Sequence, residues 1–431
     1  MAFPVMIGSI ATTLLNITDS AFLGRIGEVE LGASAIGGIL YFVFVMIGIS
    51  IGTGSQILIA RRAGEKDHSA IGAIFDHSLV LLIGLSLLLF FVLQVPVPAI
   101  LRYSIADEHV LDATLQFIDY RSYGIFFIMA ATAFRSFFVG IAQTKIYGYY
   151  AFIMAAVNII LGFVLIFGKW GFPELGIAGA GIASSLAEAF ALVFLLLWLA
   201  TRKGINEFQL FKFKRPDKQL IGSILNLSLP LVVQNLLSMV AWLVFFLFIE
   251  KLGKHELAIS NVVRGAYMIA MTPIWGFSVA ANSMVSNIIG QGRKEEVLQL
   301  VNRILLLSFW TTLLMAVLLF LFTDQVLGIF TTDTILLADS LGSYRIVIIS
   351  LFFFSSAIVL ISAVSGTGAT KMALKVEIIA ILLYMFYIYY TTFIALSTVE
   401  TVWLSELVYW TFIGGASYLY LLSNKWKSIQ V

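Results

Sequence analysis

Asp19 is the residue whose type and setting most directly suggest chemistry. Thr12 and Asn16 precede it by seven and three residues, and these spacings place all three side chains on one face of a helix. The surrounding segment is long and apolar enough to be a membrane helix, in whose centre a carboxylate costs about 2.5–3.5 kcal/mol. Asp19 could exchange a proton as its hydration changes, or it could be a hydrogen-bonded acid that ties its helix to a neighbour.

Polar residues of later apolar segments could act with Asp19. Asn158 could bond to it, although a lone Asn in a membrane helix is often only a link between two helices. Glu188 follows Ser184 by one helical turn. It could be a second protonatable group or a cation ligand, and equally a packing acid that is bonded to a Ser hydroxyl or a backbone carbonyl.

A further polar group lies in the second half of the chain. Gln234, Asn235 and Ser238 could line a substrate cavity or form ordinary interhelical hydrogen bonds. Arg135 and Arg264 are the only cations inside the predicted spans, and each could neutralise an acid, bind an anionic head group or extend to an interface. The ionisable residues that lie near helix ends are expected to be solvated or paired: Asp76, His77, Glu377 and Glu406.

The composition is that of a membrane protein, whose helices would position these residues. Of the 431 residues, 60% are hydrophobic and 12% are charged, whereas soluble domains contain about 45–50% and about 25%. A spanning helix needs about 20 residues, so the apolar content is sufficient for roughly a dozen. The long continuous apolar runs exclude a β-barrel, whose strands alternate apolar and polar residues. The predicted spans are 2–24, 31–60, 77–101, 122–144, 146–168, 175–201, 219–249, 257–292, 304–323, 346–370, 376–399 and 402–424.

Several classes of function are excluded. The chain has no Cys, which removes disulfides, thiolate metal sites and Cys nucleophiles. With four His and a net charge of +2, neither an imidazole-rich metal centre nor a nucleic-acid partner is expected. The sequence contains neither a nucleophile–His–acid constellation nor a Walker-type phosphate loop. We therefore expect a protein that is not an enzyme, needs no cofactor and draws its energy from an ion gradient.

The cations of the loops predict the orientation. With the N-terminus in the cytoplasm, 17 of the 26 Lys and Arg residues fall on the cytoplasmic side and seven on the other, so both termini are predicted to be cytoplasmic. The predicted organisation is an N-terminal six-helix lobe (1–203), a basic cytoplasmic linker (204–218) and a C-terminal six-helix lobe (219–431).

An internal repeat relates the two lobes. GEVELGAS at 27–34 recurs as GKHELAIS at 253–260, Pro4 corresponds to Pro230, and QTK at 143–145 matches ATK at 369–371, each with an offset of 226 residues. The lobes are predicted to be parallel and related by a pseudo-two-fold axis, which is typical of secondary transporters. The same offset sets Phe245 opposite Asp19, so the acid is unique to the first lobe.

The whole chain resembles the multidrug and toxic compound extrusion (MATE) family of the MOP flippase superfamily. The resemblance is carried by Pro4, by TDSAFLGRIG at 18–27, by Asn158, by GFPELGIAGAGIAS at 171–184, by LPLVVQN at 229–235 and by NSMVSNIIGQG at 282–292. It implies twelve helices in two lobes around a V-shaped cavity, with alternating access driven by H⁺ or Na⁺ antiport. It also implies a monomer in a bacterial inner membrane.

The DinF-like branch of this family implies roles for single residues. Asp19 would take the coupling proton or cation, Asn158 would be its partner, helix 1 would bend near Pro4, and Ser184 would stand where members carry a Thr. Gly162 replaces an Asp that some members have one turn after the Asn, and the second-lobe acids of other branches lack an obvious counterpart. Coupling is therefore expected in the first lobe, with H⁺ favoured and Na⁺ at Asp19 and Asn158 as the alternative.

The resulting hypothesis is that protonation of Asp19 expels an amphipathic or cationic drug. Compound and proton compete because they favour opposite protonation states of one site. The alternative function is a lipid flippase of the same superfamily, in which Arg135 and Arg264 would face a basic cavity.

Overall fold

The structure is a computed structural model that describes residues 2–202, 204–213 and 215–429. Lys203, the last residue of the predicted first lobe, and Lys214 of the predicted linker lie outside these residues. Helices bond their backbone groups within one segment, which is the condition for crossing lipid. The α-helices are α1 (Ala2–Gly24), α2 (Glu28–Glu65), α3 (His68–Gln94), α4 (Pro96–Ser104), α5 (Glu108–Ser122), α6 (Gly124–Gly140), α7 (Lys145–Ile166), α8 (Gly176–Thr201), α9 (Lys218–Leu252), α10 (Lys254–Met271), α11 (Trp275–Gly290), α12 (Val297–Leu321), α13 (Thr323–Gly328), α14 (Thr334–Gly366), α15 (Thr370–Tyr389), α16 (Val399–Trp403) and α17 (Ser405–Leu422).

The described helices account for the twelve predicted spans. Nine helices, with α3 and α4 taken together, are long and apolar enough to cross a membrane. Two further spans are bent pairs, α5 with α6 at 45° and α10 with α11 at 41°. The twelfth is α17, in which Glu406, two glycines and three tyrosines lower the mean hydropathy. The prediction of an all-α polytopic membrane protein is therefore confirmed.

Two predicted spans began too late. The fourth, 122–144, is a helix pair that starts at Glu108, where the Asp107 carboxylate accepts a hydrogen bond from the Val110 amide at 3.1 Å. The tenth, 346–370, starts at Thr334 behind a similar cap at Asp333. Both missing stretches carry charged residues. Hydropathy assigned them to loops although their caps favour the start of a helix.

The chain forms two compact units that meet in sequence between Ser228 and Leu229, inside α9. The linker packs against the first unit. Asp76 of α3 accepts hydrogen bonds from the amides of Phe211 (2.7 Å) and Phe213 (2.9 Å), and His77 Nε2 accepts one from the Asp217 amide at 3.0 Å. Asp76 and His77 are thus buried and paired with the linker backbone.

Glycines let the helices of the first unit approach closely. A Cβ atom at Gly148 of α7 would lie 3.1 Å from the Pro4 carbonyl oxygen of α1. A Cβ atom at Gly179 of α8 would lie 2.7 Å from the Leu165 carbonyl oxygen of α7. Small residues at such crossings are typical of membrane helix pairs. Helices α1 and α8 therefore both pack directly on α7.

Candidate functional site

Asp19, Asn158 and Ser184 form one hydrogen-bonded cluster in the first unit, contributed by α1, α7 and α8. Asn158 Nδ2 donates to Ser184 Oγ at 2.9 Å, and Ser184 Oγ donates to Asp19 Oδ2 at 3.4 Å. Asn158 is fully buried (0% exposed), whereas Asp19 is partly exposed. The cluster joins a buried amide to a carboxylate with an accessible edge.

The cluster has an unused acceptor. Asn158 Oδ1 is buried and has no hydrogen-bond partner among the described residues. Carboxylate and amide oxygens accept protons in hydrogen bonds and also coordinate hard cations. The described residues contain no group of three or more His, Cys, Asp or Glu that could hold a metal ion. The cluster can hold a proton on Asp19, or a monovalent cation with a single anionic ligand.

Glu188 of α8 is engaged in a largely buried ion pair, in which 6% of its side chain and 13% of that of Arg121 are exposed. Arg121 of α5 donates from Nη2 to Oε1 at 2.5 Å and from Nη1 to Oε2 at 3.0 Å. The Tyr41 hydroxyl donates to Oε2 at 3.2 Å, and the Arg121 guanidinium lies 3.7 Å from the centroid of the Tyr41 ring. Two-fold hydrogen bonding of this kind offsets part of the cost of burying both charges.

Arg121 is the functional candidate that sequence reasoning missed. The fourth predicted span, 122–144, left Arg121 outside the membrane helices, whereas Arg121 lies in α5, pairs with Glu188 and also interacts electrostatically with Asp19. Its signal in the sequence was the cap at Asp107, which predicts a helix that carries Arg121 towards the other spans.

The remaining predicted residues of α1 lie outside the cluster. Thr12 Oγ1 donates to the Gly8 carbonyl of its own helix at 3.0 Å, and Asn16 is exposed. Pro4 lies in the first turn of a continuous helix, where a missing N–H breaks no helical hydrogen bond. The structure thus brings Asp19, Asn158 and Ser184 together, whereas the other predicted residues of α1 lie outside this cluster.

In the second unit, two predicted cavity residues bind an acid that we expected near a helix end. Glu377 of α15 is 3% exposed. Its Oε1 accepts hydrogen bonds from Ser238 Oγ at 2.6 Å and from the Tyr409 hydroxyl, and its Oε2 accepts one from Gln234 Nε2 at 3.4 Å. Asn235 is partly exposed in α9. Glu377 is therefore buried and paired, with neutral partners.

Glu406 of α17 is a second buried acid of this unit, also 3% exposed. Its Oε2 accepts hydrogen bonds from the Tyr267 hydroxyl at 3.0 Å and Trp410 Nε1 at 2.9 Å, and its Oε1 accepts one from the Tyr384 hydroxyl at 3.2 Å. Aromatic donors surround this carboxylate, so its partners are neutral as well.

Arg135 and Arg264 each lie against an aromatic ring. The Arg135 guanidinium is 5.1 Å from the centroid of Tyr147, and that of Arg264 is 4.9 Å from the centroid of Phe246. Neither is part of an ion pair among the described residues. These contacts are of the cation–π type, which is stronger where the cation is desolvated.

Comparison with known families identifies a repeated match. The model of the MatE family matches residues 4–164 and again residues 230–390. Both ends of the second match are displaced by 226 residues from the first, which is the offset of the predicted repeat.

Curated relatives are similar over most of their length. The chain is 23% identical over 385 residues to the "Probable multidrug resistance protein YoeA" of Bacillus subtilis, covering 88% of this chain and 82% of that protein. It is 24% identical over 382 residues to the "Probable multidrug resistance protein NorM" of Thermotoga maritima, again covering 88% and 82%.

Solved structures have the same fold. A MOP superfamily transporter from Pyrococcus furiosus superposes with a TM-score of 0.91 at 18% identity, over 98% of this chain and 94% of that one. A multidrug resistance MATE family transporter in an outward-facing conformation superposes with a TM-score of 0.90 at 18% identity and the same coverage.

Proposed function

The chain belongs to the MatE family, and from this we propose that it is a secondary active transporter that exports amphipathic or cationic organic compounds in exchange for protons. The names of its relatives as multidrug resistance proteins support the export of such compounds over the translocation of a lipid-linked head group. A transporter role also agrees with the absence of catalytic constellations from the sequence.

The cluster of Asp19, Asn158 and Ser184 is the observation that carries the proposal. It joins three helices of one unit through a single ionisable group, so a change in the charge of Asp19 alters the contacts of α1 with α7 and α8. In the proposed cycle, protonation of Asp19 weakens its bond from Ser184 and lets α1 shift, which releases the compound. Release of the proton restores the charge and the affinity for the next compound.

Protons are the proposed coupling ion, with Na⁺ as the alternative. The cluster offers one carboxylate together with two neutral oxygens, Asn158 Oδ1 and Ser184 Oγ. Na⁺ would be held by one anionic ligand only, whereas a single carboxylate suffices for a proton. Glu188 is neutralised by Arg121, so we assign it to fixing α5 against α8 rather than to exchanging an ion.

The proposed setting follows from the family and from the charges of the loops. We place the transporter in a bacterial inner membrane as a multi-pass monomer with both termini in the cytoplasm. The basic segment 204–218 would then join the two six-helix lobes on the cytoplasmic side. Helix bending at Pro4, and contributions of Thr12, Asn16 and Asn235 to a substrate cavity, belong to the same proposal.

The test is flux of a fluorescent organic cation in proteoliposomes with a pH gradient or a Na⁺ gradient imposed separately. Wild type is expected to transport under the pH gradient alone, and Asp19→Asn is expected to lose this transport because its side chain cannot change charge. Asp112→Asn, the same exchange at an exposed position of α5, is the matched control and is expected to transport normally.

Two results would contradict this assignment. Flux that needs a Na⁺ gradient would keep the transporter and replace the ion. Absence of flux under both gradients from folded wild-type protein would favour lipid translocation, for which Arg135 would be the next residue to change.

A further inference from the structure

Glu377 differs from Glu188 in how its charge is compensated. Glu188 has the Arg121 guanidinium on both carboxylate oxygens, whereas every hydrogen-bond donor to Glu377 is neutral. Among the described residues, none of the ion pairs includes Glu377. A carboxylate that is shielded from water without a counter-charge is costly in a membrane, and binding a proton removes that cost.

Gln234 is placed to serve both protonation states of Glu377. Its Nε2 donates to Glu377 Oε2 at 3.4 Å, while its own Oε1 is buried without a hydrogen-bond partner. The two ends of a Gln amide exchange places when the amide turns by half a rotation. Gln234 Oε1 then faces Glu377 Oε2 and can accept a hydrogen bond from the protonated carboxyl. The orphaned oxygen thus gains a partner only when Glu377 carries a proton.

The groups around Glu377 let a proton be exchanged there. Gln234 and Ser238 are polar and partly exposed in α9, so the cluster has a polar edge. Glu406, by contrast, is bonded to aromatic side chains only. Of the two buried acids of the second unit, Glu377 is therefore the one with a polar route to it.

The ionisable neighbours of Glu377 supply no cation. From α17 they are Tyr409, which donates to Glu377, and Glu406, which interacts with Tyr409 electrostatically. Tyr384 of α15 packs on Tyr409 with ring centroids 5.2 Å apart and donates to Glu406. Of the side chains of α9, Gln234 and Ser238 donate hydrogen bonds to Glu377, and both are neutral. The remaining ionisable groups of α14 and α15 are directed elsewhere: Tyr344 to the Leu319 carbonyl, Tyr387 to the Thr401 carbonyl, Asp339 to His255, and Arg345, Lys371, Lys375 and Tyr389 to the exposed surface.

We propose that Glu377, held by Ser238, Tyr409 and Gln234, is a proton-binding site of the second unit, separate from Asp19. It extends the proposed proton antiport, in which the sequence placed coupling in the first unit alone. Proton binding at Glu377 can be measured without any transported compound. A negative result for proton binding at Glu377 is therefore distinguishable from a negative result for proton-coupled transport.

The test is infrared difference spectroscopy of the purified full-length protein in lipid nanodiscs between acidic and alkaline pH. A protonated carboxyl gives a carbonyl stretching band that disappears on deprotonation. Wild type and Asp19→Asn are expected to show a band that Glu377→Gln lacks. Gln234→Leu, which removes the acceptor without touching the acid, is expected to keep this band at a shifted frequency.

The melting temperature of each variant is compared with that of wild type to show that it is folded. If Glu377→Gln does not fold, Gln234→Leu and Ser238→Ala test the proposal instead, because each removes one partner of Glu377 and is expected to shift the band. Spectra of folded Glu377→Gln that are identical to wild type would overturn the proposal, as would bands in Gln234→Leu and Ser238→Ala that do not shift. Loss of the band on addition of Na⁺ at constant pH would assign the site to a cation and would overturn it too.

Discussion

The two units share a repeat but fill equivalent positions with different chemistry. The offset of 226 residues sets Asp19 opposite Phe245 and Asn158 opposite Tyr384. Phe245 is fully buried, and its ring is stacked on Tyr384 with centroids 6.0 Å apart. Aromatic packing in the second unit thus stands where the first has a hydrogen-bonded acid and its amide. Packing of this kind needs no charge to be compensated.

A tyrosine pair shows what the repeat has kept. Tyr41 and Tyr267 are also 226 residues apart, and each donates to a glutamate on the last span of its unit, Tyr41 to Glu188 at 3.2 Å and Tyr267 to Glu406 at 3.0 Å. Arg121 balances the charge of Glu188, whereas Glu406 has only neutral donors. The two tyrosines therefore occupy equivalent positions of the repeat, whereas their glutamates do not, since the offset sets Glu188 opposite Gly414, and the charge balance around the two acids differs.

The largest effect is expected from removing one charge of the buried ion pair. Glu188→Gln leaves the Arg121 guanidinium buried beside a neutral partner, which should lower the free energy of unfolding by about 3 kcal/mol or more. Glu406→Gln leaves no charge behind and should cost about 1 kcal/mol. Denaturant unfolding of both variants in one detergent measures the difference.

A double variant is the control for this comparison. Arg121→Met with Glu188→Met removes both charges and should recover much of the stability that Glu188→Gln loses, because buried pairs can often be replaced by apolar residues of similar volume. Equal costs for Glu188→Gln and Glu406→Gln would mean that Arg121 does not set the two sites apart.

The fold could be predicted because long apolar spans and a repeat with a constant offset can both be recognised from the sequence without knowledge of tertiary contacts. The prediction of span bounds failed where a helix carries charged residues. In α5, Arg121 and the acidic residues near it led to the assignment of a loop. The cap at Asp107 shows that the helix starts well before its apolar part. Hydropathy reports lipid exposure, whereas helix formation also depends on caps and on partners in other helices.

The sequence predicts a site residue where its presence in an apolar segment alone carries a high free-energy cost, whatever its neighbours are. Asp19 is such a residue, and its contact with Ser184 and Asn158 connects segments that were singled out separately. Glu377 was passed over because its position near a helix end suggested solvation. Its burial depends on how α9 and α17 pack around α15, which single-sequence periodicity does not report.

A smaller effect is expected from crowding the ion pair without changing its charges. A Cβ atom at Gly124 would overlap Arg121 Nη1 and Glu188 Oε2 and would approach the Tyr41 hydroxyl to 3.0 Å. Gly124→Ala should therefore lower the free energy of unfolding by about 1–3 kcal/mol. Gly84→Ala in α3 is the matched control, because no atom lies within 4 Å of its added Cβ. It should be neutral or stabilising by up to about 1 kcal/mol, and equal behaviour of the two variants would argue against a tightly held pair.

The smallest effect separates the two tyrosines. Tyr267→Phe removes one of three neutral donors from Glu406 and should cost about 1–1.5 kcal/mol, whereas Tyr41→Phe should cost about 0.5 kcal/mol. The second value is lower because Arg121 still bonds both oxygens of Glu188, and Phe keeps the ring beneath the guanidinium. Thermal unfolding of both single variants and of the double variant measures the difference, and the two costs should add because the sites lie in different units. If Tyr41→Phe destabilises the protein as much as Tyr267→Phe, or more, then the hydrogen bonds from Arg121 to Glu188 do not reduce the contribution of the Tyr41 hydroxyl to stability.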